Sequence, residues 1–197
     1  VTIKGEAEID GVPARVDLAF PVGGESAGGR QQVRLALDEE ARKRLGIGLD
    51  GFLGGTVAAS VSDLGAAGPG QHYDLDLKHA RIVLTALGWS KGIGVPATMS
   101  FDLIPAEGGL HVSDLVVTGD GFGFTGDVKL TNDYSLISAT IDDFALRKGD
   151  SVSLKLTRSD QGYVIDAVGE AFDMRGVMAR MKDSIQAADD GLGLTFN

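Results

Sequence analysis

Residues 97–172 read ATMSFDLIPAEGGLHVSDLVVTGDGFGFTGDVKLTNDYSLISATIDDFALRKGDSVSLKLTRSDQGYVIDAVGEAF, and this stretch decides the fold. In its first seven residues Ala97, Met99, Phe101 and Leu103 alternate with Thr98, Ser100 and Asp102. A period of two marks a strand with one dry face and one wet face. The same alternation returns in Phe122, Phe124, Val128 and Leu130, in Val152, Leu154 and Leu156, and in Tyr163, Ile165 and Ala167. Turn residues separate the runs at Gly108-Gly109, Gly119-Asp120-Gly121, Asn132-Asp133, Lys148-Gly149-Asp150 and Asp160-Gln161-Gly162. A punctuation every 11 to 16 residues or so predicts consecutive hairpins, hence a continuous antiparallel meander.

Outward from that stretch, Val1 to Ile9 and Ala14 to Phe20 form a hairpin about Asp10-Gly11, and a strand follows from Gln31 to Leu37. The glycine-rich segment from Pro21 to Arg30 has no apolar period and is a loop. A short helix is predicted near 38–45: Asp38 caps it, Glu39 and Glu40 open it, Arg42, Lys43 and Arg44 balance its dipole, and Gly46 ends it. Only Ala41 and Leu45 are expected to face inward. Gly54 to Leu64 and His72 to Leu84 read as one strand each, and Leu84 to Pro96 as irregular. In Asp173 to Asp190, Met174, Val177, Met178, Met181 and Ile185 form the stripe of an amphipathic helix near 173–190. The fold class is therefore mainly β. The chain is one all-β segment, with an N-terminal hairpin region (1–37), a meander (46–172) and the closing helix.

Composition narrows the function. The chain has 197 residues, 43% of them hydrophobic, only 6% aromatic, with 29 glycines, so the dry face is built mostly of aliphatic side chains between tight turns. A net charge of −10 repels a nucleic-acid backbone. Cysteine is absent, which excludes disulfides and thiolate metal sites. No apolar run is long enough to cross a bilayer as a helix. Val1 already lies inside an alternating run and the chain closes on GLGLTFN, so the segment reads as a piece of a longer protein, able to pair with copies of itself through an open edge.

Motifs that carry chemistry lack their context. Gly88-Trp89-Ser90-Lys91-Gly92 fits a nucleophile elbow in letters, but Ile93-Gly94-Val95-Pro96 cannot start the helix it needs. Gly121 to Gly126 fits a dinucleotide-binding pattern, yet strands flank it on both sides, and its glycines read as relief of crowding. Asp114, Asp120 and Asp127, or Asp142 and Asp143, offer oxygen ligands without a calcium-loop spacing, and His72, His79 and His111 lack a metal-binding spacing. We expect no catalytic residue, no metal and no cofactor.

From about Leu45 to Met174 the order of features resembles the AsmA-like proteins of the YhdP group in the envelopes of Gram-negative bacteria. The resemblance is carried by GIGLDGFLGGTV (46–57), DLDLKHARIVLTALGWSKGIGVPATMSFDL (74–103), GFTGDVKL (123–130), DDFAL, and LTRSDQGYVIDAVGEAFD (156–173), above all by Leu87-Gly88-Trp89 with Lys91 and Gly92. It implies a periplasmic, inner-membrane-anchored protein without catalysis. Its long curved antiparallel sheet would form a taco-like groove along which phospholipid, or another acyl-chain ligand, passes between the membranes. Its expected partners are that lipid, neighbouring β segments of the full-length chain, and the inner membrane through an N-terminal anchor outside this sequence.

Residue chemistry agrees in one respect: an apolar sheet face must be covered, and about 24 helical residues cannot cover ten or so strands of the usual length. The expected lining is Met99, Phe101 and Leu103, then Phe122, Phe124 and Val128, then Ile137 and Ile141, then Val152, Leu154 and Leu156, then Tyr163 and Ile165. The alternative is that these residues form the dry core of a closed β-sandwich, a scaffold or adhesion module with no lipid ligand.

Overall fold

The alternating runs become strands, and the chain reverses where the turn residues stand. The computed structural model describes residues 2–19, 30–65, 68–160 and 162–179. In chain order the elements are β1 (Thr2–Ile9), β2 (Val12–Ala19), β3 (Arg30–Leu37), helix α1 (Glu39–Arg44), β4 (Leu53–Gly55), β5 (Val57–Asp63), β6 (Gln71–Asp76), β7 (Ala80–Leu84), a 3₁₀ turn (Thr85–Leu87), β8 (Trp89–Lys91), β9 (Ala97–Ala106), β10 (Gly109–Gly119), β11 (Phe122–Thr131), β12 (Leu136–Ala145), β13 (Ser151–Ser159) and β14 (Gly162–Ala171). Eleven strands make one open antiparallel sheet in the order β1-β2-β3-β5-β6-β9-β10-β11-β12-β13-β14, and β4-β7-β8 make a small second sheet. The β1–β2 turn shows why the hairpins close so tightly. Asp10 and Gly11 both take positive φ (48° and 78°), the pairing that matches the twist of the flanking strands.

The large sheet is the expected meander, with two excursions. The runs read as single strands at 54–64 and 72–84 are each divided between the two sheets. Gly55, at φ +74°, turns the chain from β4 into β5, and the Leu77-Lys78-His79 turn carries it from β6 into β7. A side chain on Gly55 would run into the His79 carbonyl oxygen, so the crossing of the two excursions needs a glycine. The segment 84–96, expected to be irregular, holds β8. No second layer of comparable size exists among the described residues. The architecture is thus an open sheet with a small cap, and the two-layer sandwich is not what the described chain forms.

Helix α1 follows its signals: Asp38 Oδ1 accepts from the Ala41 N–H at 2.8 Å, and Glu39–Lys43 and Glu40–Arg44 pair at 2.8 and 2.6 Å. Arg42 departs from the expectation. It is 4% exposed, and its guanidinium donates to the carbonyls of Leu37 (2.9 Å), Gly55 (2.8 Å) and Leu53 (3.1 Å). A three-residue strand such as β4 leaves carbonyls that no ladder satisfies, and Arg42 supplies the donors. The closing helix is described over 175–179, where Val177 is half-buried and Met178 is 65% exposed, with Met174 just before it 46% exposed; Met181 and Ile185 of the expected stripe lie outside the described residues.

Irregularities step diagonally across the second half of the sheet. β10 bulges at Asp114 (φ 51°), β12 at Asp143 (φ 50°), and the β13–β14 register shifts between Ser151 and Val152. Each extra residue bends its strand and adds twist. The sheet ends in two exposed edges: β1, whose polar face carries Lys4, Glu6 and Glu8, and β14, with no basic residue or proline.

Candidate functional site

Residues directly opposed across antiparallel strands share a face, so the register lays out the apolar face row by row. One row runs Val12, Leu37, Val57 and continues through Ala97 to Phe122. The next runs Ala14, Leu35, Ala59, Leu75, Met99, Val117, Phe124. A third passes from Val61 through Tyr73 and Phe101, and beyond the β10 bulge through Leu115, Gly126, Ile141, Leu154 and Ala167. A fourth holds Leu103, Val112, Val128, Ala139, Leu156 and Ile165. The other face carries Thr98, Ser100, Asp127, Thr140, Ser153 and Lys155, with Val116, Val164 and Val168 as exposed apolar exceptions, so the two faces differ in polarity.

The cap covers the first two rows. Ala41 of α1 and Ala80 of β7 join Val12, Leu37, Val57, Ala59, Leu77 and Ala97 in one buried cluster, with Leu45, Leu53 and Ile82 packed around it. Met99 and Phe122 also pack on this cluster, and Trp89 meets Phe122 edge to face at 4.9 Å while its Nε1 donates to the Leu146 carbonyl at 2.9 Å. Phe124 and Phe144 stack in a tilted pair at 5.8 Å, with Val152 buried beside Phe144 in the register. Beyond these rows, Phe101, Leu103, Val128, Ile141, Leu154 and Leu156 are half-buried, and Tyr163 and Ile165 on β14 are 50% and 61% exposed. Of the residues expected to line a groove, all but Ile137 therefore share one face; Ile137 sits at the register shift next to Leu136. Tyr73 lies flat on Phe101, with centroids 4.9 Å apart and planes within 6°, which keeps the third row continuous from β6 to β9.

Lys91 of β8 is a buried charged group. It is 2% exposed, and its ammonium donates to the carbonyls of Leu77 (2.6 Å), Ala80 (2.8 Å) and Gly92 (3.2 Å). Burial pushes its pKa below the ordinary lysine value. Together with Arg42 it ties the cap to the large sheet through backbone carbonyls. Gly88, beside it, takes φ +59° and packs directly on Gly176, so the closing helix reaches the cap through two glycines. Ser90 lies in β8 with no helix after it, and the elbow reading has no support. In the 121–126 run, side chains on Gly123 or Gly126 would strike the Val117 and Thr140 carbonyl oxygens, which accounts for both glycines by strand packing.

On the polar face His72 Nδ1 lies 2.5 Å from Asp102 Oδ1, and its Nε2 lies 3.4 Å from Asp74 Oδ1. The Asp102 hydrogen bond, with Asp74 behind it, raises the His72 pKa above 6.5. A raised histidine stabilises the fold fully below its unfolded value and loses that contribution as pH rises through the folded value. We expect unfolding free energy to fall by less than about 1 kcal/mol over this window, since the pair is partly exposed, and His72→Gln to abolish that component in urea unfolding series. His111 Nε2 pairs with Asp127 at 3.0 Å. Among the described residues no group of His, Asp and Glu is placed to hold a metal ion.

No family model, curated protein or solved structure matches the chain.

Proposed function

We propose that the protein carries an acyl-chain ligand along its apolar face, as a non-enzymatic segment of an AsmA-like envelope protein that moves phospholipid between inner and outer membrane. The observation that carries this reading is the set of in-register apolar rows, covered among the described residues by α1 and the small sheet at one end only. A half-buried aliphatic row several strands wide gains roughly 25 cal/mol per Å² when something apolar covers it, and an extended acyl chain suits a row better than a globular partner does. The diagonal irregularities bend the sheet in its second half, as a groove requires. The resemblance carried by Leu87-Gly88-Trp89, Lys91 and Gly92 supplies the rest: a periplasmic location, an inner-membrane anchor, and neighbouring β segments that lengthen the path.

Organic extraction of the purified protein followed by mass spectrometry tests the reading. Phospholipid in stoichiometric amount, surviving passage over a size-exclusion column, is the expected result. A lipid-free extract from folded protein offered phospholipid vesicles would overturn it.

A further inference from the structure

The polar face also carries a hollow. It measures about 940 Å³ and opens across β1, β2, β3, β5, β6 and β9. Most strands contribute three consecutive residues to its border, such as Arg34-Leu35-Ala36 and Asp74-Leu75-Asp76, and the two flanking members of each triplet point away from the apolar row, which places the hollow on the polar side. Its floor is made of small side chains, Ala36 and Ala58 among them, with Ser60 between its charged walls.

Arginines stand on one side of it, with Glu6 beyond them, and two aspartates on the other. Arg15 and Arg34 are directly opposed across β2 and β3, a like-charge pairing that costs stability unless something neutralises it. Glu6 of β1 stands opposite Arg15 in the same row and also borders the hollow, yet among the described residues no carboxylate comes within 4.0 Å of either guanidinium. Asp17, two residues from Arg15 on the same face, is engaged by Lys4 at 3.0 Å. Arg34 is held in place by a polar chain: it donates to Gln32 Oε1 at 2.8 Å, and Gln32 Nε2 donates to Ser60 Oγ at 2.8 Å, leaving the Ser60 hydroxyl hydrogen free to point at a ligand. Along the same row the register runs Arg34, Ser60, Asp74, so the first carboxylate of the opposite wall stands two strands from the arginine, about 10 Å away by backbone spacing. Asp76 adjoins it.

We propose that this hollow binds a small zwitterion: an oxyanion on Arg15 and Arg34, and an ammonium on Asp74 and Asp76, with Ser60 between. Two adjacent guanidiniums can each offer a fork of N–H donors to the oxygens of one phosphate, which removes their mutual repulsion. Carboxylates alone would repel that phosphate, so the ammonium end is what makes the pair of walls a single site. The site faces away from the apolar rows and does not depend on the acyl-chain reading.

Titration calorimetry with O-phosphoethanolamine as the probe tests this, with inorganic phosphate and ethanolamine as its two halves. We expect one saturable site that binds O-phosphoethanolamine more tightly than either half, and a loss of about tenfold or more in Arg34→Gln and in Arg15→Gln. The Asp74→Asn/Asp76→Asn double variant should bind O-phosphoethanolamine no better than inorganic phosphate. Thermal unfolding checks that each variant is folded, and chemical-shift changes confined to β2, β3, β5 and β6 give a second readout of place. Dihexanoyl phosphatidylethanolamine below its micelle concentration distinguishes the source. Retained binding points to a lipid headgroup and lost binding to a free molecule. Absence of saturable binding, or binding untouched in both arginine variants, would sink the proposal.

Discussion

Lys91→Met is expected to lower the unfolding free energy by about 2 to 3 kcal/mol, because buried carbonyls lose their donor while the methionine fills most of the vacated space. For a chain of this size that corresponds to a fall in Tm of roughly 4 to 12 °C. Two opposing effects set the figure. Removing an ammonium that no carboxylate among the described residues pairs relieves its desolvation, which favours the variant. The carbonyls of Leu77, Ala80 and Gly92 then lack the ammonium, and at 2% exposure water does not readily replace it. The second effect is larger because one amine serves all three. Lys91→Arg should not rescue, since a planar fork cannot converge on carbonyls arranged around a point charge. Equal stability of Lys91→Met and the parent in denaturant titrations would mean that the cap is held by apolar packing alone.

Leu154→Asp should remove at least nine tenths of the phospholipid captured by the parent protein, read by photo-crosslinking to an acyl-chain probe. Leu154 stands in the third row, between Ile141 and Ala167, beyond the reach of the cap. A carboxylate there forces any chain lying along the row to desolvate a charge, a penalty of several kcal/mol and hence well over tenfold in occupancy. The position is half-buried, so the aspartate keeps access to water and the fold survives. Phe101→Asp should have the same effect on capture at a higher cost in stability, because it also breaks the stack on Tyr73. Lys155→Asp is the control: its side chain is on the opposite face one residue away, and capture should be unchanged. Parental crosslinking in folded Leu154→Asp would show that the open rows are not the path.

These outcomes depend unequally on what the sequence discloses. Hairpins and the identity of the dry face were legible in it, because alternation and Asp-Gly or Gly-containing turns are local properties. The division of 54–64 and 72–84 between two sheets was not, since alternation continues through both breaks and only the backbone of Gly55 shows the change of direction. Arg42 reads as part of a basic helix end, and its burial depends on carbonyls left over by a strand eleven residues further on. The Arg15–Arg34 pair is invisible in the same way: nothing within either strand says that the two will stand opposite each other. Register across strands is a property of pairs, and single-strand periodicity carries no record of it.

The bulges at Asp114 and Asp143 have a consequence for folding itself. Each places an aspartate in a left-handed conformation that such short polar residues tolerate and bulkier neighbours do not. Were β10 to slip by one residue against β9, the kink would fall on Ser113 or Leu115, and in β12 on Asp142 or Phe144; for Leu115 and Phe144 the backbone penalty is of order 1 to 2 kcal/mol, quite apart from turning the oily side outward. A slip toward Leu115 or Phe144 is therefore rejected locally, before the distant strands arrive. A sheet assembled from so many similar runs carries its own proofreading.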